Sequence, residues 1–130
     1  MTGLGTNILV RFITEDDPDQ SKRADNFLQS LSPENPGFIP LVTLAELVWV
    51  LRGRFRSSKL QIIQRLAQIL NSPELVVEGR MAVYTALARF STSKADFADC
   101  LIACLGDAAD CHDTVTFDVD AARYAGMRLL

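Results

Sequence analysis

The chain has no long apolar run. Charged residues break every candidate before the roughly 18 residues that a membrane span needs, so no membrane segment is expected. Cysteine is scarce, with three residues (Cys100, Cys104, Cys111), and His112 is the only histidine. An odd thiol count, with no basic-then-apolar leader, argues against a disulfide framework and for a cytoplasmic location. Cys104, Cys111 and His112 match no zinc spacing and lack a fourth ligand. The thiols read instead as small hydrophobes buried on an apolar helix. An excess of positive charge is also missing. Against 16 Asp and Glu stand 13 Lys and Arg, a net charge of −3, which argues against a broad surface that coats nucleic acid. No repeat, low-complexity tract or flexible linker divides the 130 residues, which therefore read as one domain, 1–130.

What is there has the pattern of an α/β protein. The hydrophobic fraction of 48% is that of a globular chain. A short apolar opening runs into Gly5-Thr6-Asn7, and a helical pattern follows at once. Ala24, Phe27, Leu28 and Leu31 have helical spacing, ending before Ser32-Pro33-Glu34-Asn35-Pro36-Gly37. The run from Phe38 to Val42 reads as a buried strand, although Pro40 cannot donate to a ladder. Two further stripes, Leu44-Leu47-Val48-Leu51-Phe55 and Leu60-Ile63-Leu66-Ala67-Leu70, predict helices, the second stopping at Asn71-Ser72-Pro73. Leu75 to Val77 reads as a strand. Met81 to Phe90 reads as a helix with Tyr84, Leu87 and Ala88 on one side. Ala98 to Ala109 is apolar enough to be a central helix. Thr114 to Phe117 and Met127 to Leu130 read as strands flanking a short helix from Asp118 to Tyr124. Such alternation predicts a mostly parallel, twisted sheet flanked by helices on both faces.

In parallel sheets ligands bind outside the carboxyl ends of the strands, and acids recur at those turns. Glu46 lies off the apolar stripe of its helix, and Thr43 to Glu46 reads as a capping box. Asp96 is a natural N-cap, Asp99 follows it, Asp118 is placed to cap the last helix, and Asp120 lies two residues on. Each acid alone reads as a cap. Gathered at the turns of one sheet they would repel one another, and a hard divalent cation is the usual reason for gathering them. Mg²⁺ or Mn²⁺ held in this way serves phosphoryl chemistry. Other readings fail: Ile8 stands where a dinucleotide fingerprint needs its third glycine, and no Walker motif is present. The last lysine, Lys94, precedes Asp99 and Asp118, whereas a receiver-type pocket needs a later one. A locally basic segment, Arg52, Arg54, Arg56 and Lys59, is a weaker candidate for phosphate contacts.

Four blocks in order, GLGTNILVRFITEDDPDQ, VTLAELVWVLRGRF, ADFADCLIAC and VTFDVDAAR, resemble the successive motifs of PIN-domain ribonucleases, in particular the VapC-type toxins of bacterial type II toxin–antitoxin systems. The resemblance implies a single α/β PIN domain and a Mg²⁺- or Mn²⁺-dependent endoribonuclease. It also implies a homodimer, an RNA substrate and a cognate VapB-type antitoxin. Carried over by position, it places the metal-binding and catalytic acids at Glu46, Asp99 and Asp118, with Thr6, Asn7, Asp96 and Asp120 as auxiliaries. The family's Asp-Thr-Asn becomes Gly5-Thr6-Asn7 here, so Gly5 occupies a vacated acidic ligand position and activity is expected to be impaired. The rival expectation is a PIN module without catalysis that acts only by binding a protein partner.

Overall fold

Helices and short parallel strands alternate along the computed structural model, which describes residues 1–130. The chain divides into two compact units, Met1–Glu78 and Gly79–Leu130. The first contains β1 (Thr2–Gly3), α1 (Thr6–Thr14), α2 (Pro18–Gln29), β2 (Gly37–Ile39), α3 (Leu41–Gly53), α4 (Lys59–Leu70) and β3 (Leu75–Val77). Its strands form one parallel sheet in the order β1-β2-β3, with Thr2 opposite Gly37 and Gly37 opposite Leu75. Parallel neighbours cannot be joined by a tight hairpin, so a pair of helices carries the chain back each time.

The central strand explains its own glycine. A Cβ on Gly37 would lie 2.9 Å from Leu31 Cδ1 and 3.0 Å from Leu4 Cδ1, so glycine lets these leucines close over the sheet in the positions they take. Around it, α3 buries Leu44, Leu47, Val48 and Leu51, the stripe that the sequence predicts, while Phe55 beyond its end is half-buried. The predicted β2 is shortened. Pro40, Leu41 and Val42 belong to the next helix, where Pro40 sits at the N-cap with φ −61° and needs no ladder hydrogen bond.

For α4 the predicted face is rotated. Ile62, Leu66, Ile69 and Leu70 are buried, whereas Leu60 is 63% exposed. Apolar residues cover a wide arc of this helix, so spacing alone permits either stripe; packing selects the one containing Ile62 and Ile69.

The second unit contains α5 (Arg80–Thr92), α6 (Phe97–Ala108), β4 (Val115–Thr116), α7 (Val119–Tyr124) and β5 (Arg128–Leu129). β4 and β5 pair in parallel through α7. α5 turns Val83, Ala86, Leu87 and Phe90 inward instead of the predicted Tyr84-Leu87-Ala88 side, because the former set gives a continuous i, i+3, i+4, i+7 stripe. α6 answers with Phe97, Cys100, Leu101, Ala103 and Cys104. Burial pushes the Cys100 thiol up to about 11, which keeps it protonated and unreactive. Cys111 departs from the expectation of buried thiols: it lies beyond the end of α6 and is exposed.

All ladders are parallel, as the sequence predicts, with the strands shared between a three-stranded and a two-stranded set. No helix is long and apolar enough to cross a membrane.

Candidate active site

Two helix N-termini follow directly on the carboxyl ends of β1 and β2. Leu4 leaves the sheet with its N–H donated to the Phe38 carbonyl. Thr43, buried in the first turn of α3, donates its hydroxyl to the Leu4 carbonyl at 3.2 Å, which ties α3 to the chain just before Gly5. Gly5 is the N-cap of α1, with φ −76° and ψ 157°, and makes no side-chain cap. That is extended backbone open to any residue. A Cβ built there meets nothing within 4 Å. Neither the turn nor the packing requires glycine at position 5, and an aspartate would gain a capping bond.

Thr6 and Asn7 open α1. Thr6 is half-buried and Asn7 exposed. Glu46 is exposed in the second turn of α3, which corrects the capping box read from Thr43 to Glu46. The helix starts at Leu41, the Thr43 hydroxyl is engaged elsewhere, and Glu46 is too far along to serve the N-terminus. The capping role falls to Glu78, just past β3, whose Oε1 accepts the Leu41 N–H at 2.9 Å. Sequence reasoning missed Glu78 because its partner is 37 residues away. The basic segment is exposed at Arg52, Arg54 and Arg56. Arg54 reaches Asp16 at 3.9 Å and lies 5.3 Å over the Phe55 ring. Lys59 is the first residue of α4.

The second unit holds the remaining acids. Asp96 is the N-cap of α6, yet its side chain makes no cap bond; the position is as predicted and the carboxylate is left unused by the helix. Asp99 lies in the first turn. Asp118 caps α7 as predicted, its Oδ1 accepting the Ala121 N–H at 2.8 Å, and Asp120 follows, exposed, in that helix. The structure brings Asp96 and Asp118 within electrostatic reach of Asp99. Burial is the main cause that raises Asp99 above the ordinary 3.8, and the charges of Asp96 and Asp118 raise it further. Such oxygens suit Mg²⁺ or Mn²⁺ in kind. They do not suit it in number, because no group of three or more His, Cys, Asp or Glu side chains is close enough to hold a metal ion.

The raised Asp99 has a consequence for stability. From 3.8 up to its raised value, the folded chain holds the Asp99 proton more tightly than the unfolded chain does. Folding therefore loses stability as pH rises through that interval. Asp99→Asn is expected to melt above the parent at pH 7 and level with it below pH 3.8. Melting curves at the two pH values check this, and a parent that is the more stable form at pH 7 would show Asp99 to be held by favourable contacts.

Compared with known families, residues 4–127 match the PIN domain. No curated protein matches the chain significantly. PIN domains are generally metal-dependent nucleases that use divalent ions, and many act with antitoxins and bind RNA. The match spans nearly the whole sequence, and the chain belongs to the PIN-domain family.

Proposed function

We propose that this chain is the endoribonuclease toxin of a type II toxin–antitoxin pair, of VapC type, impaired because Gly5 stands where the first acidic ligand belongs. The reading rests on the match of residues 4–127 to the PIN domain, whose members are generally metal-dependent nucleases. Beside it stands Asp99, a partly buried acid that caps nothing, pairs with no cation and feels the charges of Asp96 and Asp118. A fold keeps such an arrangement at the expense of stability when the acids have chemical work. Glu46, Asp99 and Asp118 are the assigned acids, and Thr6, Asn7, Asp96 and Asp120 support them. Arg52, Arg54, Arg56 and Lys59 offer charge to RNA phosphates. Mg²⁺ or Mn²⁺ held by these carboxylates would supply Lewis-acid chemistry for phosphoryl transfer to water. The expected partners are a VapB-type antitoxin and a second copy of the chain, in the cytoplasm.

A second reading, a binding module without catalysis, is favoured by the incomplete donor set and by Val42 and Trp49, 75% and 77% exposed on α3. Metal titration of the chain and of Gly5→Asp separates the two. With the acid restored, Mg²⁺ at a hundred times its dissociation constant is expected to stabilise the fold by about 2.7 kcal/mol, and the parent by much less. Identical shifts in melting temperature would show that position 5 does not face the metal. No shift in either form, with Mg²⁺ or Mn²⁺, leaves the binding module as the reading.

A further inference from the structure

A cleft of about 460 Å³ lies between α1 and α2, bordered by Asn7, Ile8, Arg11, Gln20, Arg23 and Phe27. Its walls are fixed in advance. Ser21, buried on α2, donates its hydroxyl to the Arg11 carbonyl at 2.8 Å. Arg11 spans the helices, donating through Nε to Gln20 Oε1 at 2.7 Å and through Nη1 to Asp16 at 3.1 Å. Asp17 caps α2, accepting the Gln20 N–H at 3.0 Å. Ile8 and Phe27 supply half-buried apolar surface.

The polar lining is one-sided. Two guanidinium groups and no carboxylate face the cleft. Arg11 is committed to the scaffold, but Arg23 is bound only to Asp19, at 3.7 Å between side chains 77% and 82% exposed. Such a pair is weak and exchanges readily for a phosphate. Gln20 differs from an ordinary glutamine, because its oxygen already accepts Arg11 and its NH₂ group is what remains to be offered. A glutamine reads adenine by using oxygen and NH₂ together, whereas guanine presents two acceptors, O6 and N7, on one edge.

Building on the ribonuclease reading, we propose that the α1–α2 cleft is a nucleobase subsite for the RNA substrate. It takes guanine against Ile8 and Phe27, with Gln20 donating to the base edge and Arg23 holding the adjoining phosphate. The cleft opens beside Asn7, two residues from Gly5, so a base seated there anchors the strand next to the N-terminus of α1. Arg23, whose weak exposed pair with Asp19 a phosphate can replace, and the unengaged NH₂ of Gln20 favour a nucleotide over an apolar helix of a protein partner.

Binding of fluorescently labelled uridine heptanucleotides carrying G, A, C or U at the centre, measured by anisotropy in chelator, tests this without any catalytic step. The guanine strand is expected to bind about tenfold more tightly than the adenine strand. Gln20→Glu keeps the acceptor for Arg11 but has no donor, and should abolish the preference. Arg23→Gln, at an exposed position, should weaken all four strands and lower the slope of log K against log salt by about 0.7. RNA binding without base preference, or a preference that survives Gln20→Glu, would overturn the subsite and leave the ribonuclease reading standing. No RNA binding, by the parent or by Gly5→Asp, would overturn both. If the two variants lose an antitoxin peptide while keeping RNA, the cleft belongs to a protein partner and the proposal fails.

Discussion

Gly5→Asp is expected to cleave RNA in Mg²⁺ about 10²–10³ times faster than the parent chain. Removing one group that stabilises developing charge typically lowers a rate by that factor, and a missing metal donor acts on every step that the ion assists. The structure sets no steric or backbone obstacle to the acid: position 5 is extended and open on the side where a Cβ would stand. Capping predicts a small gain in stability for Asp, opposed in chelator by any repulsion from neighbouring carboxylates. Gly5→Asn is the control, because it caps a helix as well as Asp but brings no charge. It should melt at least as high as the parent and remain as slow. Equal cleavage by the Gly and Asp forms, or rescue by Asn, would remove position 5 from the catalytic account.

The largest expected loss of stability follows Phe97→Ala. Phe97 is fully buried at the first residue of α6 and meets the Phe90 ring edge-on, with centroids 5.8 Å apart at 81°. Truncating a buried phenylalanine lowers stability by about 3–5 kcal/mol, the range reflecting how far the site collapses. Against a usual total of about 5–15 kcal/mol that is a large share, and the melting temperature should fall by at least about 10 °C. Phe97 lies between Asp96 and Asp99 in sequence, so the same change should loosen both carboxylates and bring Asp99 towards its ordinary value. Urea titration gives the loss from the midpoint at unchanged slope. A fall under 1 kcal/mol would show that α6 is held by other contacts.

Much of this was legible in the residues, and the failures share a cause. Leu75 to Val77 was readable to the residue, since a proline-containing turn precedes it and a glycine follows closely. The inward stripe of α3, Leu44-Leu47-Val48-Leu51, keeps i, i+3, i+4, i+7 spacing, although Val42 and Trp49 make the helix apolar on its exposed side too. Where a helix is apolar over a wide arc, as in α4, spacing permits two faces and only the packed neighbours choose. The N-terminus of α3 was misread because its terminal N–H is satisfied by Glu78, a contact between distant segments. The start of α4 carried a usable signal, the Ser58–Gln61 capping box. Among the acids, Asp118 behaves as the cap that its position suggests, and Asp96 occupies a cap position without capping. Whether a carboxylate is spent on the backbone or left for chemistry depends on a rotamer, which residue spacing does not encode. The α1–α2 cleft escaped for the same reason, because it exists through the bonds of Ser21 and Arg11 across two helices.

The openness of position 5 also bears on heredity. Where the glycine codon is GGT or GGC a single base separates it from aspartate, and no neighbouring side chain has to be rebuilt for the acid to return. Where the restored form is toxic, growing cells purge each revertant as it arises, so cultures expressing this chain without an antitoxin will look genetically stable. Co-expression of the antitoxin lifts that purge, and sequencing after long passage in the two backgrounds should find aspartate at position 5 accumulating only under protection.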